Sequence, residues 1–223
     1  MSRHADPKAK IALLAAAEAV FAEKGMERSK VEDITHRAGL SKGAFYLHFQ
    51  SKDEAFRQVA ETFLARYSQT FVRPEHVSDS HVLGPHDYLE GSAAHEEEMY
   101  EFLWQNRAIV QMLQPCHGDY QYLLEAFREN ITGTCCAWVR HLKKCGLYRP
   151  EVDEDFATLM IFGAYNELAL RVVSAPKKPP IAAWLDAARD TFARAYGTRT
   201  LIHALEQARG SGSGRRALSA TGE

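Results

Sequence analysis

Apolar residues recur at intervals of three and four along almost the whole chain, and no stretch alternates apolar with polar as a half-buried strand would. A chain patterned this way buries its side chains only by packing helix on helix, so the fold class expected is all-α. Leu13, Leu14, Ala17, Val20 and Phe21 share one face of a first helix, which stops at Gly25. Ser29 is expected to open a very short second helix, with Glu32 completing a Ser-x-x-Glu capping box and Val31, Ile34 and Ala38 facing inward. Gly39 stands where a helix end favours a left-handed residue. Ser41 caps a third helix with Phe45 and Phe49 turned inward, and Ser51 with Glu54 opens a fourth. Short helices joined by turns of three to four residues make a helix-turn-helix unit.

Residues 72–86, which include Pro74, Gly84 and Pro85, break the pattern and read as a connector. Longer helices are expected beyond it, near 87–105, 106–114, 119–144, 153–174 and 179–197. The helix near 153–174 is apolar almost all round between Phe156 and Tyr165, and so demands cover on every side. After Gly197 a weakly helical piece leads into the Gly210–Gly214 stretch, read as flexible tail. The division expected is therefore 1–55, 56–197 and a tail over 198–223.

Composition narrows the class further. With 46% hydrophobic and 25% charged residues, the chain is neither disordered nor collagen-like. No unbroken apolar run approaches the roughly 18 residues of a membrane span, and residues 1–8 carry no signal-peptide core, so a cytoplasmic chain with no membrane partner is expected. The four cysteines (116, 135, 136 and 145) show no metal-ligand spacing and read as small apolar residues. Ten Lys/Arg oppose eight Asp/Glu over residues 1–60, while the whole chain has a net charge of −2. Any polyanion partner would thus meet the N-terminal part.

The segment from Leu13 to Glu54 resembles the DNA-binding domain of the tetracycline-repressor (TetR) family. Phe21-Ala-Glu-Lys-Gly25, Val31-Glu-Asp-Ile34, Ala38-Gly39, Ser41-Lys42-Gly43, Phe45-Tyr46, His48-Phe49 and Ser51-Lys52 carry the likeness without a gap. It implies an N-terminal three-helix helix-turn-helix DNA-binding domain followed by a C-terminal helical ligand-binding and dimerisation domain. It also implies that Lys42, Gly43, Tyr46, His48 and Lys52 sit where family members touch DNA. Lys30 and Thr35 depart from the usual family pattern, which bears on base preference rather than on fold.

Residue chemistry gives its own account of that segment. With Phe45 and Phe49 inward, a turn of 100° per residue points Gly43 and Leu47 outward, with Ala44 and Tyr46 beside them and Lys42 and His48 at the edges. Small residues at 43 and 44 let the backbone approach a major groove, and Ala44 and Leu47 offer only apolar contacts such as a thymine methyl. Hydrogen-bonding readout falls to Lys42, His48 and Arg28, Ser29 and Lys30. Phosphate contacts are expected from Tyr46, Lys52 and the amides of the helix starts capped by Ser29, Ser41 and Ser51.

One recognition helix reads only a few base pairs, so a homodimer is expected on a palindromic operator of double-stranded DNA, its half-sites ~34–36 Å apart. The helices near 153–174 and 179–197 are the expected dimer interface, as an intermolecular four-helix bundle. A small-molecule effector is implied by the resemblance, with Phe102, Met112, Cys116, Phe127, Cys135, Trp138, Phe162, Tyr165 and Asn166 as candidate lining. Such a lining suits a largely apolar compound. Plain core packing is the other reading of each.

His76, His81, His86 and His95 raise a metal-sensor reading, but no second His follows His95 at i+4, and no metal is expected. Cys135 and Cys136 raise an oxidant-sensor reading, set against burial of Cys135 on the apolar stripe. No Gly-rich phosphate loop, Gly-x-Ser-x-Gly elbow or paired-carboxylate signature is present, so neither an enzyme nor a cofactor is expected. The function expected is a transcriptional regulator, a repressor released by a ligand. The alternative is control by a protein partner, a metal or an oxidant.

Overall fold

The computed structural model describes residues 6–71, 83–113 and 120–219, with 211–219 described by backbone alone. Ten helices and no strand occur among the described residues: α1 (Pro7–Lys24), α2 (Val31–Ala38), α3 (Lys42–Tyr46), α4 (Lys52–Gln69), α5 (Pro85–Gln105), α6 (Arg107–Leu113), α7 (Gln121–Lys144), α8 (Glu154–Ser174), α9 (Ile181–Tyr196) and α10 (Arg199–Ser219). They form two compact units. The first joins Met1–Gln69 to Leu103–Glu129, and the second joins Thr70–Phe102 to Asn130–Glu223. The first unit is thus larger than the 1–55 segment expected, because α4, α6 and the start of α7 pack with the N-terminal helices.

In the first unit Pro7 stands at the start of α1, where a missing N–H costs nothing, and Asp6 caps the helix by accepting from the Lys8 N–H at 3.0 Å. The buried face of α1 is Leu13, Ala16, Ala17, Val20 and Phe21. It packs on α2, α4 and α6, and Phe21 meets Phe56 edge-to-face at 5.4 Å. The box opening α4 forms with one adjustment. Ser51 accepts from the Glu54 N–H at 3.1 Å, while Glu54 reaches back to the Gln50 N–H rather than to that of Ser51.

The start of α2 departs from the expected box. The helix begins at Val31, and the Lys30 N–H donates to Asp33 Oδ2 at 3.0 Å, so the box lies one residue later than Ser29–Glu32. Ser29 is buried instead, and its hydroxyl donates to the Gly25 carbonyl at 2.6 Å. The Ser29 hydroxyl thus serves as a donor to a carbonyl at the end of α1, instead of accepting from an N–H at the start of α2.

In the second unit Val139, Leu142, Leu147, Tyr148, Ala157, Ala193 and Leu201 belong to one buried cluster. The segment leaving α7 crosses the turn between α9 and α10: the Arg149 N–H donates to the Tyr196 carbonyl and the Thr198 N–H to the Leu147 carbonyl, both at 2.9 Å. The Arg149 guanidinium adds bonds to the Gly197 and Ala195 carbonyls at 3.1 and 2.7 Å. Gly197 is required there by close approach, since a Cβ would collide with the Ala193 carbonyl oxygen.

Two expectations are revised in this unit. α8 buries only Ala157, Thr158, Val172 and Val173 within its own chain. Phe156 (58% exposed), Leu159 (66%), Met160 (47%) and Leu170 form an uncovered apolar stripe instead. α8 is also long and apolar enough in mean hydropathy to cross a bilayer, which a search for unbroken apolar runs passes over because Asn166, Glu167 and Arg171 interrupt it. The stretch Gly210–Gly214, read as tail, continues α10 to Ser219. Glycine lowers helix propensity by about 1 kcal/mol per residue but leaves the backbone hydrogen bonds available.

Candidate nucleic-acid interface and effector cavity

The turn between α2 and α3 is set by backbone chemistry. Gly39 takes a left-handed conformation at φ 65°, and the Leu40 N–H closes onto the Thr35 carbonyl at 2.9 Å. Ser41 then caps α3 by accepting from the Ala44 N–H at 3.1 Å. With Phe45 and Phe49 buried, Lys42, Gly43, Tyr46 and Leu47 are exposed on the opposite side, and Ala44 and His48 are half-buried. Nothing in the protein demands the glycine at 43, where an added Cβ would meet only the Ser41 hydroxyl at 3.8 Å.

The cations around this face are held by carboxylates of the same unit. Lys42 pairs with Glu32 at 2.5 Å, Lys24 with Asp33 at 2.8 Å and Arg37 with Glu23 at 2.6 Å. The hydrogen bond from Lys42 holds the Glu32 carboxyl below its ordinary range and raises the Lys42 ammonium in turn. Lys24, then the Lys30 N–H, does the same for Asp33. These pairs are solvent-exposed and individually weak, so an incoming phosphate exchanges one ion pair for another at little cost. Lys30 is exposed, and so is Arg28, whose Nε donates to the Lys24 carbonyl at 3.0 Å.

Two residues expected at this face are committed to the fold. Ser29 is 3% exposed and spends its hydroxyl inside the α1–α2 turn. Lys52 gives its ammonium hydrogens to the Met26 and Ser29 carbonyls at 2.8 and 3.1 Å. Both carbonyls belong to a turn that leaves them without helical partners.

The second unit holds a cavity of ≈ 150 Å³. Of the candidate lining residues, Cys135, Trp138, Phe162 and Tyr165 surround it. Phe102, Met112, Phe127 and Asn166 do not: Phe127 stacks on Tyr67 at 5.1 Å in the first unit, Met112 lies on α6, and Asn166 is exposed on α8. Cys116, His76 and His81 lie outside the described residues. Among the described residues no three His, Cys, Asp or Glu side chains are placed to hold a metal; His86 is exposed and His95 lines the cavity.

The polar end of the cavity is an ion pair that sequence reasoning missed. Arg189 is 7% exposed, its Nη1 donates to Glu96 Oε2 at 2.6 Å, and it also pairs with Asp186. The Tyr165 hydroxyl donates to Glu96 Oε1 at 2.9 Å, and the Tyr100 hydroxyl to the Tyr165 carbonyl at 2.5 Å. Burial disfavours the charge on Arg189, but attraction and hydrogen bonding to Glu96 keep its pKa raised. Burial, then the Glu96 charge, pushes Tyr88 up to about 12 and raises Tyr165 far beyond its ordinary value. Burial pushes the Cys135 thiol to about 11. One signal was available: Ile181, Leu185, Arg189 and Ala193 fall four residues apart, so a charge sits on the buried stripe of α9.

Residues 13–59 match the family described as bacterial regulatory proteins, tetR family. The chain is 42% identical over 52 residues to YfiR, an uncharacterized HTH-type transcriptional regulator of Bacillus subtilis, a match covering 23% of this chain and 25% of that protein. It thus spans about a quarter of the Bacillus relative's length. It is 28% identical over 152 residues to the HTH-type transcriptional repressor KstR2 of Mycobacterium tuberculosis, covering 64% of this chain and 70% of that one. In fold it is similar to SmeT, the repressor of the Stenotrophomonas maltophilia multidrug efflux pump SmeDEF, with a TM-score of 0.69 and 22% identity over 86% of this chain and 92% of that one. The SmeT–triclosan complex gives a TM-score of 0.72 at 20% identity, over 87% and 94% of the two chains.

Proposed function

We propose that the chain, whose residues 13–59 match the tetR family of bacterial regulatory proteins, is a member of that family and a homodimeric, sequence-specific DNA-binding regulator. It acts as a repressor that leaves a palindromic operator when a small, largely apolar ligand fills the cavity of the second unit. The observation that carries the reading is the outward face of α3, where Gly43, Tyr46 and Leu47 are exposed over the buried Phe45 and Phe49. Gly43 and Ala44 allow close backbone approach, Leu47 offers an apolar contact, and Lys42, His48, Arg28 and Lys30 supply hydrogen bonds. Tyr46 and the amides at the Ser41 cap face phosphate.

The uncovered stripe of α8 supports dimerisation, since Phe156, Leu159 and Met160 need cover that one chain does not supply. The cavity supports ligand control, with Cys135, Trp138, Phe162 and Tyr165 as its proposed contacts. A SmeT complex with triclosan, in a protein of the same fold, is in keeping with such a ligand.

The test is a mobility-shift assay on DNA flanking the protein's own gene at about 50 and about 200 mM salt. Specific, salt-sensitive binding to a palindrome is expected. Tyr46→Ala should weaken it about tenfold while helical circular dichroism stays unchanged. Binding that ignores sequence, or a Tyr46→Ala variant of undiminished affinity, would remove the α3 face as the reader of DNA.

A further inference from the structure

We propose that the cavity of the second unit selects an uncharged, mainly apolar ring compound, and that the Glu96–Arg189 pair excludes charged analogues of the same shape. The inference rests on the reading of this cavity as the effector site and names the chemistry it takes. Its volume of ≈ 150 Å³ is of the order that encloses a single benzene-sized ring. Met99, Ile131, Trp138, Ile161, Phe162 and Phe192 supply apolar and aromatic wall.

The charges at the polar end cancel before any ligand arrives. Glu96 Oε2 and Arg189 Nη1 are 2.6 Å apart, the Tyr165 hydroxyl supports the other carboxylate oxygen at 2.9 Å, and Asp186 backs the guanidinium from outside the lining. A carboxylate entering here either opens the pair, leaving Glu96 buried without its cation, or stays desolvated with no countercharge. An ammonium meets the mirror image of that choice. Breaking a buried pair by removing one partner costs far more than the pair contributes when closed. A hydroxyl or carbonyl on a ring hydrogen-bonds beside the pair and separates nothing. Tyr88, His95, Cys135, Tyr148 and Tyr165 are the other titratable side chains on the lining. Burial raises the phenols and the thiol, so work near pH 8 leaves them uncharged and also lies above the ordinary imidazole range.

The experiment uses the full chain and three probes of one shape: benzyl alcohol, benzoate and benzylamine. Binding is followed by ligand-observed NMR near pH 8. Benzyl alcohol should bind at least about tenfold more tightly than either ion, and the cavity-filling variant Ile161→Trp should abolish its binding. Glu96→Gln strips Arg189 of its cavity partner and should shift the benzoate-to-benzyl-alcohol affinity ratio toward benzoate by about tenfold or more. Arg189→Met should shift selection toward benzylamine in the same way, so the inference survives the loss of either variant to misfolding.

Binding of all three probes with equal affinity, or unchanged ratios in a folded Glu96→Gln variant, would overturn charge exclusion while leaving the effector site intact. Failure of every probe to bind, or binding that persists in Ile161→Trp, would remove the effector-site reading and the inference with it.

Discussion

The Lys52 ammonium donates to the Met26 carbonyl at 2.8 Å and, with a second bond to Ser29, ties the first residue of α4 to the turn between α1 and α2. A residue expected to touch phosphate is in this way a staple of the fold. Lys52→Ala should therefore lower stability by roughly 1–2 kcal/mol, the loss of charged hydrogen bonds in a half-buried place. Urea unfolding reads it as a lower midpoint. The salt slope of DNA binding, measured where the variant is fully folded, should change by less than about half a unit. A flattening of about one unit with no loss of stability would return Lys52 to the phosphate contacts.

Gly43 separates folding from recognition. Its backbone needs no glycine and its Cβ direction is open, so Gly43→Ala should leave the melting temperature unchanged or raise stability by up to about 1 kcal/mol. DNA affinity should nevertheless fall about tenfold or more, because the added methyl stands between backbone and groove. Equal affinity in a mobility-shift titration would place the closest approach elsewhere on α3.

Leu159, 66% exposed in the single chain, is the sharpest probe of the α8 face. Leu159→Glu should leave helical circular dichroism intact while raising the dimer dissociation constant at least about 100-fold, roughly 3 kcal/mol. Sedimentation equilibrium distinguishes the outcomes. An unaltered dimer would move the interface off this stripe.

Alkaline pH should unfold the second unit through its buried tyrosines. Burial pushes Tyr88 up to about 12 and raises Tyr148 and Tyr165 as well, whereas tyrosines in the unfolded chain ionise near 10. The unfolded state thus loses these protons first. The stability they contribute is complete below about pH 10 and is lost as pH rises toward 12. Tyrosinate absorbance should show a late step that coincides with loss of helical signal. Complete ionisation with the helices intact would contradict it.

Sequence alone determined the helices of the first unit, their inward faces and the outward register of α3, because each rests on neighbours three and four residues apart and on caps within one turn, whereas the exposed face of α8 and the length of α10 did not follow from spacing. Phe45 and Phe49, both inside, illustrate how far such local spacing reaches. Even a local rule slipped where two solutions competed: Lys30 and Asp33 cap α2, while Ser29 turns to Gly25. Tertiary structure alone decided the rest. Glu96 and Arg189 are 93 residues apart, and Tyr100 and Tyr165 are 65 apart. A buried charge is tolerated only beside its partner, and that partner is named by how helices pack rather than by any spacing along the chain.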